Sequence, residues 1–573
     1  MLGRRRLAVT SAATLLLVVA LAGCAPADKN GETVSLPAVV PAPASLEATD
    51  SAPFALREGL RIAGDRDAAT ALAALIGARS GLTATPGEDG AIELRIDPSA
   101  GSGAGGEGSG AGGEGSGAGS EGSGAGSAGS GAEGGGAAPE SYRLTVDEAS
   151  VVVTGADAAG LFYGVQTLGQ LIAREGDGWV VPAVKIADAP RFAYRGVMLD
   201  VARHFQPVET VKAYIDRAAG LKFNALHLHL SDDQGWRIEL TSRPKLTELA
   251  SGSSVGGDPG GYYTKADYRE IVEYAASRHL IVVPELDMPG HTQAVSAAYP
   301  ELVEDPVIAP GMLEAVAEYG GGTPTPGEVY QGVAVGFSSL KIHDEATYDF
   351  VADVFGELAA MTPGPYLHLG GDESLGTDPD DFAEFIDRAT DIVADLGKTP
   401  IAWHEAGAAE GLNPDTIGQY WGYTTPTDGM DDKARAFVAK GSRLILSPAD
   451  AIYLDMKYDA GARIGLTWAN GPTSVERAYS WEPADIISGI SESDILGVEA
   501  PLWTETVRDL SDIDELAFPR IAAAAEAAWS PATGTIPHRT WESFRERVGA
   551  LGPLWTSLGI GFHASDEIPW VTR

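Results

Sequence analysis

Tyr366-Leu367-His368-Leu369-Gly370-Gly371-Asp372-Glu373 is the stretch from which the fold is read. Its first half alternates and suits a short strand. Two glycines follow, then two adjacent carboxylates. Neighbouring side chains on an ideal strand point to opposite faces, so both acids serve one pocket only if the chain bends on leaving the strand. Gly370 and Gly371 permit that bend and let a ligand approach the backbone. Two carboxylates held so close do not ionise equally: one is expected to rise in pKa and the other to fall. The pair then supplies a proton donor near neutral pH and an anion, a division of labour that glycosidic bond cleavage uses. An Asp-Glu pair also suits the positive end of a helix dipole, and the octapeptide by itself leaves that reading open.

The flanking sequence repeats a strand, loop, helix rhythm. Strands are expected at 194–201, 225–230, 280–285, 366–369, 400–403, 417–421, 444–446 and 495–499. Helical patterns lie between several of them, at 210–221, 265–278, 345–361 and 381–396. Eight such strands predict a (β/α)8 TIM barrel over 191–573, with catalytic residues at the strand C-terminal ends. The first strand carries Arg195 and runs into Asp200-Val201-Ala202-Arg203-His204-Phe205. The second ends in His227, His229, Asp232 and Asp233, and the third in Glu285, Asp287 and His291. The fourth ends in Asp372-Glu373, the fifth in Trp403-His404-Glu405, the sixth in Tyr420-Trp421. The last two lead to Tyr453-Leu454-Asp455 and Trp503-Thr504-Glu505. Trp403, Trp421, Trp468 and Trp503 are expected to wall a sugar-sized pocket, because aromatic faces pack on pyranose C–H faces while acids bond hydroxyls. The longest insertion, 291–366, includes a Gly/Pro-rich tract expected to close in part over that pocket.

Ahead of the barrel, 34–190 reads as a small α+β accessory domain with no catalytic pattern. It has a helix at 68–78, strands at 92–96, 142–146 and 151–154, and a helix at 156–174. The strands suggest an antiparallel sheet interrupted by 99–139. That tract is almost wholly Gly, Ser, Ala and Glu, cannot bury a core, and is expected to be a disordered insertion. The leader 1–23 has a basic start and an apolar run and ends in Leu21-Ala22-Gly23 before Cys24, the only cysteine among 573 residues. This is a secretory signal that resembles a bacterial lipobox. The expectation is lipidation at Cys24, a tether over 24–33, and a protein exported and lipid-anchored at the outer face of a bacterial cell membrane. Forty Lys and Arg against 80 Asp and Glu give a formal charge of −40, which argues against nucleic acid as a partner.

The motifs Arg195-Gly196, Asp200 to Phe205, His229 to Trp236, Asp287-Met288-Pro289-Gly290-His291, His368 to Glu373, Trp403 to Glu405, Tyr453 to Asp455 and Leu502 to Glu505 occur in this order. In this the chain resembles the family 20 glycoside hydrolases, the β-N-acetylhexosaminidases. The resemblance implies exo-acting, retaining release of terminal N-acetylhexosamine, in which the substrate's 2-acetamido oxygen attacks and forms an oxazolinium ion. It implies that Asp372 steers the acetamide, that Glu373 is the acid and then the base, and that Tyr453 bonds the acetamide carbonyl. Trp403, Trp421 and Trp503 line the pocket, with Trp468 on the aglycone side. Arg195, Asp455 and Glu505 bond sugar hydroxyls, and Asp232, His229 and His291 support the acid pair. No cofactor and no metal are implied, and the partners are β-linked N-acetylhexosaminides such as chitooligosaccharides and glycan ends. Two other classes remain. His227 and His229 with Asp232 and Asp233 suit half a zinc site of a metal-dependent barrel hydrolase. An inactive, lipid-anchored glycan-binding protein is the other.

Overall fold

A computed structural model of the chain describes residues 37–99 and 137–571. The leader, Cys24, the tether and nearly all of the 99–139 tract lie outside the described residues.

The eight expected strands all form, within two residues of their expected starts and three of their ends. They are Tyr194–Asp200, Ala225–His229, Ile281–Glu285, Tyr366–His368, Thr399–Trp403, Ile417–Tyr420, Leu444–Leu446 and Ile495–Leu502. Paired in parallel in this order, they close into a barrel, the first strand bonding to both the second and the eighth. Register sets the site. Asp200 pairs with His229, His229 with Glu285, and Glu285 with His368, so four polar residues share one row at the strand ends.

Outer helices form where apolar residues recur at helical spacing. Pro379–Asp395 buries Phe382, Phe385, Ile386, Ala389 and Val393, and begins with proline behind an Asp378 cap. Lys265–Ala276 opens on a Thr264/Asp267 capping box. Between the fifth and sixth strands the α-helix gives way to a short 3-10 turn, His404–Ala408. That turn returns the chain to the barrel mouth.

The accessory domain carries a seven-stranded sheet, and the sheet is mixed. Tyr142–Val146 runs antiparallel to Val151–Gly155, as expected. Ile92–Ile96 instead pairs in parallel with Val151–Gly155. The hairpin turn at Asp147, whose carboxylate accepts the Ala149 and Ser150 N–H groups, reverses the chain and inserts its second arm between the two. Where the 99–139 tract leaves and rejoins the sheet, the Ala137 N–H donates to the Pro98 carbonyl at 3.2 Å.

Two buried cations fasten this domain to the start of the barrel. The Arg195 guanidinium grips Glu140 through both amino groups at 2.9 and 3.1 Å and lies over the Trp529 ring. Lys222 bonds Asp188 and the Tyr142 hydroxyl, both at 2.9 Å.

Candidate active site

The bend expected after the fourth strand is present. Gly370 and Gly371 have φ of 73° and 94°, and Glu373 has φ of 41°. Side chains strain such backbone, which glycine tolerates. The bend is clamped from both sides: Gly371 N–H donates to Asp287 at 2.9 Å, and Trp403 N–H donates to the Gly370 carbonyl at 3.0 Å. Asp372 and Glu373 therefore leave the strand together at the barrel mouth. Burial and the neighbouring Asp372 raise the Glu373 carboxyl to about 7.

An aromatic wall surrounds the pair. Trp403 and Trp503 rings lie 6.1 Å apart, Tyr453 sits 6.2 Å from Trp503, and Trp468 meets Tyr453 and Trp421 edge-on at 5.8 and 5.9 Å. Trp403, Trp421, Trp503 and Tyr453 are buried, whereas Trp468 is 41% exposed at the rim. Burial and then Asp372 raise the Tyr453 phenol, so it keeps its proton and can donate it in a hydrogen bond.

Beneath the wall runs a chain of acids and imidazoles. Glu499 meets His227 at 2.9 Å, and His227 meets Glu285 at 3.0 Å. Glu285 also bonds His229, which reaches Asp232 at 2.9 Å. Asp232 lies 3.2 Å from His291, and the other nitrogen of His291 lies 3.8 Å from Asp372. Burial alone would discharge these rings. Flanking carboxylates outweigh it and raise both His227 and His229 to about 10, and they raise His291 as well. Acid and imidazolium alternate as far as the catalytic pair. Glu285 also accepts the Trp403 indole N–H at 2.9 Å, so the chain fixes the pocket floor. Asp232, His229 and His291 thus stand where sequence placed them; Glu285, a row-mate of His229, was read at its strand end but given no role.

One expectation is overturned. Arg195 does not reach the pocket. It is the second residue of a strand whose seventh, Asp200, is at the mouth, and it is spent on Glu140, Tyr163 and the Phe192 and Lys222 carbonyls at the opposite end. The arginine at the mouth is Arg203, just past the strand. It bonds Asp232 at 2.7 Å, lies 4.7 Å over the Trp503 ring, and feels the charges of Glu505 and Asp372. The sequence signal was position: only residues at or after a strand's C-terminal end face the site.

Asp455 and Glu505 come together as expected. Burial, then Glu505, raises Asp455. Glu505 is raised to about 6, by burial against the opposing pull of Arg203. Each has a buried carboxylate oxygen without a partner among the described residues, Oδ2 and Oε2. Oxygens of this kind suit ligand hydroxyls. The 291–366 tract reaches the site at two points. Tyr319 lies near enough to Glu505 to feel its charge, and Gly336 packs on Leu375 and the Glu373 carbonyl.

Several acid and histidine trios come close enough to share a cation, among them His227, Glu285 and His368, and Asp287, His291 and Asp372. His227 spends both ring nitrogens on carboxylates, and its charged form offers a metal no lone pair. A cleft of about 970 Å3 between the accessory helices and the C-terminal helix includes none of the strand-end residues.

A carboxyl that holds its proton toward neutrality, beside a second one facing an imidazolium, inside an aromatic barrel mouth, places the chain in the class of barrel glycosidases. Sequence comparison narrows this. Residues 192–378 and 374–532 match the glycosyl hydrolase family 20 catalytic domain, and residues 36–189 match domain 2 of the same family. A β-N-acetylhexosaminidase of Cellulomonas fimi is 43% identical over 435 residues, covering 75% of this chain and 82% of that protein. The structure of a family 20 β-N-acetylglucosaminidase, 65% identical, superposes with a TM-score of 0.80 over 94% of this chain and all of that one. A mutant Streptomyces plicatus β-hexosaminidase in complex with product, GlcNAc, is 41% identical with a TM-score of 0.78 over 93% and 97%. The chain belongs to glycosyl hydrolase family 20.

Proposed function

We propose that this β-N-acetylhexosaminidase releases terminal N-acetylhexosamine with retention, by substrate-assisted catalysis at Asp372 and Glu373. The observation that carries the reading is the bent acid pair inside the tryptophan and Tyr453 wall. Asp372 accepts the acetamide N–H and stabilises its growing positive charge. Tyr453 donates to the acetamide oxygen. That oxygen attacks the anomeric carbon, the glycosidic C–O bond breaks, and the Glu373 proton passes to the leaving oxygen. Water then adds to the same carbon of the oxazolinium ion, giving its proton to Glu373, and the ring opens to the β-product. Holding the nucleophile within the substrate removes the entropic cost of bringing one in.

Trp403, Trp421 and Trp503 enclose the acetamide and the sugar face, with Trp468 toward the aglycone. Arg203 takes the sugar-binding part expected of Arg195, beside Asp455 and Glu505. A pocket walled in this way accepts a chain end, which supports exo action, and the product complex of the Streptomyces plicatus relative agrees. Chitooligosaccharides and glycan ends carry the required sugar, and one relative, 29% identical, is an N,N'-diacetylchitobiase of Vibrio harveyi.

The test removes the nucleophile. The aryl β-N-acetylglucosaminide is expected to turn over, and the matching β-glucoside and free glucosaminide are not. Equal rates on all three would overturn the mechanism.

Export and lipid attachment at Cys24 rest on the order of basic start, apolar run, small residues and cysteine in the leader. Expressed in a bacterium, the chain is expected to partition into detergent and the Cys24→Ala variant into water. Identical partitioning would rule out the anchor.

A further inference from the structure

Trp403-His404-Glu405 ends the fifth strand, and only its first residue has a part in the reaction so far. The two that follow lie in the 3-10 turn His404–Ala408, which brings Glu405 back to the barrel mouth. One Glu405 oxygen accepts the Trp421 indole N–H at 3.0 Å. His404 lies behind: its ring is 5.3 Å from the Trp421 ring, and its buried Nδ1, without a partner among the described residues, is 3.5 Å from the same Glu405 oxygen. Burial, with Lys433 adding to it, lowers His404 to about 3 and keeps it neutral, so one ring nitrogen is a bare acceptor. Burial and Asp372 raise Glu405 to about 8, so at neutral pH it holds a proton that this acceptor suits. One carboxyl oxygen thus meets both the indole N–H and the imidazole.

This tie matters because of the wall it holds. The last torsion of an aromatic side chain has broad wells, so an indole in a pocket turns unless something fixes it. The Trp421 N–H has Glu405 as its partner. The Trp421 ring supports Trp468 edge-on at 5.9 Å, and Trp468 supports Tyr453 at 5.8 Å. The orientation of Trp421 therefore sets the width of the pocket that receives the acyl group.

We propose that Glu405 is a positioning residue that pins Trp421 and thereby selects acetyl over larger N-acyl groups on the substrate. The inference rests on Trp421 walling the acetamide. Glu405 itself takes no part in bond making or breaking.

The experiment measures kcat/KM of the full chain on aryl β-glucosaminides carrying N-acetyl, N-propanoyl and N-butanoyl groups. Glu405→Gln keeps an acceptor for the indole and is expected to keep the wild-type ratio of propanoyl to acetyl turnover. Glu405→Ala removes the acceptor and is expected to raise that ratio about fivefold or more, the worth of one hydrogen bond, mainly by lowering acetyl turnover. Trp421→Phe keeps a ring, loses the N–H, and is expected to shift the ratio in the same direction, which decides the matter should Glu405→Ala not fold. In the double variant Glu405→Ala/Trp421→Phe, the two effects are expected not to add. An unchanged ratio in Trp421→Phe and Glu405→Ala, or an equal shift in Glu405→Gln and Glu405→Ala, would overturn the proposal. Trp421→Ala separates the two layers: if even it leaves the acyl ratio unmoved, Trp421 is not the acyl wall, and the underlying reading fails with it.

Discussion

Asp287 and Gly370 sit so close that a Cβ on the glycine would fall 1.8 Å from the Asp287 carboxylate, the one that receives the Gly371 N–H. No side chain fits there, and φ of 73° disfavours one in any case. Gly370→Ala is therefore expected to lose about 1–3 kcal/mol in backbone strain alone, before the clash is counted. It also displaces the acid pair, and a shift of roughly 1 Å costs about 100-fold in rate. Thermal unfolding and turnover on an aryl N-acetylglucosaminide measure both. Wild-type activity in this variant would mean that the bend does not place the acids.

The two acids are separable by leaving group. Glu373→Gln removes the proton donor, so it is expected to abolish turnover of chitobiose while sparing much of the activity on nitrophenyl glycosides, whose leaving oxygen needs no proton. Asp372→Asn removes the steering anion and is expected to cost about 100-fold or more on both. A sparing effect in Asp372→Asn would reassign the roles.

Activity and stability share a pH direction here. Glu373 must be protonated for the first step, so kcat/KM is expected to fall as pH rises past about 7, and Glu373→Gln is expected to lack that limb on activated substrates. For stability, a carboxyl raised on folding binds its proton more tightly in the folded state. Between the ordinary carboxylate range and the folded value, stability therefore falls with rising pH, through about 7 for Glu373 and about 8 for Glu405. His227 and His229, raised to about 10, stabilise fully below the ordinary histidine range and lose that contribution as pH rises through 10. Thermal midpoints are expected to decline steadily from pH 5 to pH 9. A maximum near pH 8 would show that the buried network is not charged as described.

Arg195 and Arg203 are expected to fail differently. Arg195→Met breaks a part-buried pair and is expected to lower stability, with KM unchanged in the folded fraction. Arg203→Met is expected to raise KM and lower kcat. Titration of a folded Arg195→Met sample against a tight inhibitor separates lost protein from lost affinity.

That contrast marks what the sequence made legible. Short apolar runs with acids or tryptophans after them announced eight strands, because alternation and strand-end chemistry are local signals. The Gly370-Gly371 bend was legible for the same reason. Arg195 was misread because a strand shows its polar residues without showing which barrel end they serve, and Arg203 lay eight positions further on. Glu285 and Glu405 were read at strand ends but without roles, because their partners are distant: His227, His229 and Trp403 for one, Trp421 for the other. The parallel pairing of Ile92–Ile96 was hidden because a hairpin formed after the long tract decides it.

One hydrogen bond, from Ala137 to Pro98, closes the doorway through which the chain leaves the accessory sheet and returns. The ends meet there, so each doubling of that excursion's length is expected to cost the sheet only about 0.6 kcal/mol. A reporter or a shorter turn spliced between those two ends is therefore expected to leave turnover at the barrel unchanged.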